Sequence, residues 1–210
     1  MIPHLFARPA RALPRRRRAR GASAVEFALL SSLFFAGVFG VVEVARIVFV
    51  ANTLQEVTRR AAAAAVHVYP SDSAGIQRLR QEAVFRDGPG GLLLADPVTE
   101  QSLRIDYLAL TRDATSQALS LTPIATLPPT AARNRQICMG NPNAANCIRF
   151  VRVSVCSAAT ATSGAGDCQP VRSRALVGMF DMARRLHRAT TLAPVESFGY
   201  VPGESPCPCP

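Results

Sequence analysis

The sequence predicts an α+β protein in which a long N-terminal transmembrane helix continues into a small domain with an antiparallel sheet and disulfides. Three observations carry that expectation: an uncharged apolar run from Phe27 to Val42, two alternating segments at 103–107 and 151–155, and six cysteines that all lie beyond the run. A length of 210 residues leaves room for one ordinary domain plus an appendage. Apolar residues make up 49% of the chain although aromatics reach only 6%, and a membrane segment reconciles those two figures.

The first element is a basic leader, residues 1–21. All 24 basic residues are arginine, and seven of them (Arg8, Arg11, Arg15, Arg16, Arg17, Arg18 and Arg20) fall within the first 20 positions with no acidic residue among them. Without those seven, the formal charge of +10 drops to +3, so most of the basic excess belongs to the leader. No aromatic is interleaved with Arg15–Arg18, which argues for a topogenic charge cluster and against nucleic-acid binding.

The second element is a helix expected over residues 22–68, membrane-spanning in its first half. Ten strongly apolar side chains between Phe27 and Val42 supply roughly 3 to 6 kcal/mol of insertion free energy, against about 2.5 to 3.5 for one central carboxylate. Insertion tolerates Glu26 and Glu43 because they sit at the ends. The run is short of the ~20 residues that fill a bilayer, so the span extends toward Val50, with Arg46 reaching for the headgroups and for Glu43 as a helix-end ion pair. The arginine excess before the span places the N-terminus in the cytoplasm and the C-terminal domain across the membrane. A cleaved secretory signal fits poorly, because a Glu opens the apolar core and no A-x-A-like site follows it. Past the bilayer, Ile47, Val50, Leu54, Val57, Ala61 and Ala64 recur at spacings of three and four and form one stripe for packing. With no Gly or Pro between Val41 and Tyr69, one helix from about Ala22 to Val66 would run about 65 Å, and Pro70 and Ser71 end it.

Residues 69–210 form the domain beyond the membrane. A helix is expected from Ala74 to Phe85, closed by Gly88-Pro89-Gly90-Gly91. Leu103–Tyr107 and Val151–Val155 alternate like half-buried strands, and the Pro-rich connection through Pro123, Pro128, Pro129 and Asn141-Pro142-Asn143 reads as an exposed loop or insertion. A second helix is expected from Ala175 to Arg188, followed by a Pro-rich tail from Pro202. Six cysteines allow 15 full pairings; local spacing favours Cys138 with Cys147 and Cys156 with Cys168, and leaves Cys207 and Cys209 without an assigned partner. The absence of any Cys-x-x-Cys pair, with only His187 near the cysteines, argues against a metal site.

The segment Gly21-Ala22-Ser23-Ala24-Val25-Glu26-Phe27 resembles the processing site of tight-adherence (Flp, type IVb) prepilins. With Val42-Glu43, Arg46, Asn52-Thr53-Leu54-Gln55 and Arg59 it resembles the N-terminal pattern of TadE-like pseudopilins. The resemblance covers about residues 20–65. It implies a pilin-like architecture, prepilin-peptidase cleavage between Gly21 and Ala22 on the cytoplasmic side, and assembly through the apolar helix. Partners would be the inner membrane, the prepilin peptidase, and other pilins, pseudopilins and pilus assembly proteins.

The residues themselves give that resemblance a physical content. Cleavage after Gly21 would expose the α-amine of Ala22 one helical turn from Glu26, and two such charges 4 Å apart gain about 1 kcal/mol in water and about 4 at an effective dielectric of 20. Pairing of this kind, beside Phe27, would set the register between neighbouring subunits. The chain shows no G-x-S-x-G, Walker loop, H-E-x-x-H or nucleotide fingerprint, so neither catalytic residues nor a cofactor nor a small-molecule substrate is expected. The leading expectation is a minor pseudopilin in the bacterial inner membrane, single-pass with its domain in the periplasm. The alternative is an uncleaved single-span anchor presenting a periplasmic binding domain.

Overall fold

A computed structural model describes residues 21–163, 166–173, 184–185 and 188–199. The leader before Gly21, most of the expected second helix, and Cys207 and Cys209 lie outside the described residues.

Helix α1 runs from Ala22 to Ala65 and is long and apolar enough to cross a membrane. Residues 21–41 belong to one unit, and the described residues from Val42 onward belong to another. In the first unit the helix keeps its apolar side chains on the outside, with Phe27, Leu33 and Val41 each more than 70% exposed. In the second, Val50, Leu54, Val57 and Ala61 of the expected stripe are buried, and its end members Ile47 and Ala64 are half-buried. Ala62 and Ala65 join it.

Helix α2 (Ser73–Ala83) starts where the Asp72 carboxylate accepts the Gly75 N–H at 2.9 Å, a side-chain cap that satisfies an otherwise orphaned donor. A Cβ on Gly75 would crowd the capping carboxylate and Val68, so those side chains would have to shift to admit it. Leu79 and Ala83 turn inward, and the helix ends at Val84 before Phe85 adopts φ 61°.

Strands β1 (Leu103–Arg112), β2 (Leu119–Pro123), β3 (Phe150–Val155) and β6 (Thr190–Pro194) form an antiparallel sheet in the order β2-β1-β3-β6. The two alternating segments are thus direct neighbours, Leu103 opposite Val155 and Tyr107 opposite Val151. One face of the sheet closes on the second half of α1. Val151 and Val153 are buried there, and the Thr58 and Thr191 hydroxyls meet at 2.8 Å between α1 and β6.

Two expectations are corrected. The Pro-rich stretch is not a plain loop: it contains β2, which pairs with Leu108–Arg112, and helix α3 (Ala131–Gly140), capped by Thr130. The expected helix 175–188 fails at its C-terminal end, because Arg184–Arg185 form strand β5 paired with β4 (Arg172–Ser173). A short helix α4 (Ala158–Ser163) lies between β3 and β4.

Two disulfides brace the domain. Cys138 at the end of α3 joins Cys147, and Cys156 after β3 joins Cys168, each with a Cα–Cα distance of 5.1 Å.

Candidate functional site

The features that bear on function are arranged along α1. Gly21 forms the turn before the helix, and its carbonyl accepts the Val25 N–H at 3.2 Å, so the first helical hydrogen bond begins at the expected processing position. Ala22 is the first helical residue, and Glu26 and Phe27 follow one turn later with both side chains exposed. Between Val25 and Val42, eleven large apolar side chains are exposed. Burying such a set is worth roughly 15 to 30 kcal/mol at 1.5 to 3 kcal/mol per side chain, so lipid or protein has to cover it.

Farther along, Arg46 is 7% exposed, and its Nε lies 3.6 Å from Glu43 Oε1. Its Nη1 also donates to the carbonyl of Leu94 at 3.3 Å, which ties the helix to a loop 48 residues away in sequence. An arginine near the end of an apolar run is therefore held by both its i−3 carboxylate and a backbone carbonyl.

The loop that carries Leu94 is only partly legible in the sequence. The turn signal Gly88-Pro89-Gly90-Gly91 marks it, but the three leucines that follow carry no period that separates core from surface. In the structure Leu92, Ala95 and Val98 are buried whereas Leu93 and Leu94 are exposed.

On the sheet face away from α1, Asp106 binds two arginines. Arg104 Nε donates to Oδ1 at 2.8 Å, and Arg152 Nη2 donates to Oδ2 at 3.1 Å from the neighbouring strand. Arg104 Nη1 also reaches the carbonyl of Gly166 at 2.7 Å. The face toward α1 carries an aromatic cluster in which Phe198 packs against Tyr69 and Tyr107 at ring separations of 5.2 and 6.1 Å. Burial pushes the Tyr69 phenol up to about 12 and the Tyr107 phenol higher still, and Arg80 partly offsets the effect at Tyr107. No group of three or more His, Cys, Asp or Glu with metal-binding geometry occurs among the described residues.

Residues 21–63 match the family model described as TadE-like protein. Over this segment the chain is similar to that family. The match begins at Gly21 and covers nearly all of α1, about a fifth of the chain. No curated protein and no solved structure matches the chain at a significant level. The TadE-like segment therefore contains Gly21, Ala22, Glu26, Phe27, Glu43 and Arg46, whereas the disulfides, the sheet and the leucine turn lie beyond it.

Proposed function

We propose that the chain is a minor pseudopilin of a tight-adherence (Flp) pilus assembly apparatus, cleaved after Gly21 by a prepilin peptidase and assembled through α1. The observation that carries this reading is a coincidence of boundaries. The TadE-like match starts at Gly21, the helix starts at Ala22, and among the described residues the exposed large apolar side chains start at Val25. TadE-like proteins are structural components of pilus systems, and this chain shows no motif for an energy source of its own, so motive force would come from a partner ATPase.

In this reading the arginine-rich leader stays in the cytoplasm of a bacterial cell, the first half of α1 crosses the inner membrane once, and the domain of residues 69–210 works in the periplasm. The periplasm is a compartment in which disulfides form and persist, which fits Cys138–Cys147 and Cys156–Cys168. After cleavage the new α-amine at Ala22 would pair with Glu26 of the same or a neighbouring subunit. Phe27, 73% exposed, would pack in the apolar layer beside that pair.

The test is intact mass and N-terminal sequencing of protein extracted from membranes, with and without the prepilin peptidase. The expected result is a mature terminus at Ala22 that needs both the peptidase and Gly21, so that Gly21→Ala retains the leader. A Met1 terminus in the presence of the peptidase would instead favour the uncleaved single-span anchor.

A further inference from the structure

The loop between α2 and β1 carries a feature that neither the core nor the TadE-like segment accounts for. Gly91 and Thr99 form a bridge at its base, the Leu92 N–H donates to the Val98 carbonyl at 2.9 Å, and the Val98 N–H donates to Ala95 at 2.8 Å. From outside, Arg86 Nε donates to the Gly91 carbonyl at 3.1 Å, and Glu100 accepts the Gly90 N–H at 3.0 Å. The loop is thus anchored by hydrogen bonds at its base and by three buried apolar side chains.

At its tip this anchoring holds two leucines out of the protein. Leu93 is 68% exposed and Leu94 47% exposed, and Leu94 adopts φ 60°, a left-handed conformation that Gly or Asn takes far more readily than Leu. A residue kept in that conformation with its apolar side chain outward stores strain, and such strain is characteristically found where a surface has work to do.

The position of the tip says what that work is. The Leu94 carbonyl accepts from Arg46, so the tip lies at the height of Arg46 along α1, and there Val44, Val48 and Phe49 of the helix are also exposed. Here the helix and the loop both present apolar side chains outward, while Arg46 is folded against Glu43 and the Leu94 carbonyl. Scattered surface leucines need no explanation; two adjacent ones on a braced turn that is hydrogen-bonded to Arg46, near exposed Val44, Val48 and Phe49, are a local apolar surface that does.

We propose that the Leu93–Leu94 turn enters the interfacial layer of the bilayer on the domain's side, giving the domain a second lipid contact beside α1. This rests on the reading of α1 as a membrane span. Apolar side chains at a membrane surface bury about 5–10 Å into the headgroup and acyl boundary, and two leucines beside a spanning helix fix the depth and tilt of the domain rather than anchor it.

The chain contains no Trp, so each introduced Trp is a unique fluorophore. The full-length protein is reconstituted in nanodiscs of phosphatidylethanolamine and phosphatidylglycerol whose acyl chains carry bromine near the headgroup. Leu93→Trp is compared with Phe39→Trp in the apolar run and with Met139→Trp, a position 75% exposed on α3. Leu93→Trp should show blue-shifted emission and lose most of its fluorescence to the brominated lipid, as Phe39→Trp does, whereas Met139→Trp stays unquenched.

Water-like emission without quenching at Leu93→Trp overturns the proposal. So does blue-shifted emission without quenching, which would mean that protein, such as a second copy, covers the turn. Equal quenching at Met139→Trp overturns it too, since the contact would then not be specific to the turn. In each of these cases a quenched Phe39→Trp leaves the membrane span standing. An unquenched Phe39→Trp would remove the span itself and the proposal with it.

Discussion

Asp106 accepts hydrogen bonds from Arg104 on its own strand and from Arg152 on the next, and its side chain is only 13% exposed. Asp106→Asn keeps the shape but leaves the two guanidinium groups without their shared anion. Because Arg152 is 37% exposed and water screens it, the expected loss is about 1 kcal/mol of domain stability, read from denaturant unfolding followed by circular dichroism. Tyr69 makes a pH prediction with a definite sign. Its phenol donates to the Pro128 carbonyl, and burial raises its pKa from 10.0 to about 12, so the folded state holds that proton more tightly than the unfolded chain does. The stability it contributes is fully present below pH 10 and is lost as the pH rises from 10 toward about 12. Tyr69→Phe should therefore flatten the alkaline limb of the stability profile over that window, measured by unfolding at a series of pH values. Leu94 carries the opposite kind of burden. Leu94→Gly should stabilise the detergent-solubilised protein by about 1 kcal/mol through relief of the left-handed strain, with thermal unfolding as the check.

At the scale of elements, α1 has one side-chain period and two environments. Leu54 is fully buried against the sheet domain, whereas Leu33 is 73% exposed, so Leu54→Ala should cost about 2–5 kcal/mol of domain stability and Leu33→Ala almost none. Denaturant unfolding of the two variants in detergent checks the contrast. The same helix was legible in the sequence because its stripe repeats without a Gly or Pro from Val41 to Tyr69 and a proline follows. Strands β1 and β3 were legible for a related reason: both alternate cleanly. Strand β2 was not, since Leu119-Ser-Leu-Thr-Pro123 ends in a proline inside a Pro-rich stretch and forms an edge, where packing imposes little pattern. Helix α3 was hidden because it has no apolar face. Only Asn134 is buried among its residues, so hydropathy carries no trace of it, although Thr130 after two prolines is a usable cap signal. The Glu43–Arg46 geometry follows from i,i+3 spacing, but the carbonyl that completes it comes from a loop 48 residues away, and no local rule reaches that far.

For the whole molecule, the cysteines convert a modest core into a durable one. The Cys156–Cys168 bridge spans a separation of 12 residues, and its replacement by paired alanines should lower domain stability by about 2–3 kcal/mol in the chain-entropy model, read from unfolding of oxidised protein. Cys138–Cys147 has a companion that the other bridge lacks. One turn before Cys138, the Asn134 side chain imitates a strand partner: its Oδ1 accepts the Ile148 N–H at 2.8 Å, and its Nδ2 donates to the Ile148 carbonyl at 3.4 Å. Ile148 is the residue immediately after Cys147, so this amide clasp ties the segment carrying Cys138 to the residue beside its disulfide partner. The consequence is kinetic. If the clasp forms before the bridge does, it raises the effective concentration of each thiol at the other and favours Cys138–Cys147 over mispairing. Asn134→Ala should slow closure of Cys138–Cys147 relative to Cys156–Cys168 and increase mispaired species, a difference that timed thiol trapping and peptide mapping during refolding would resolve.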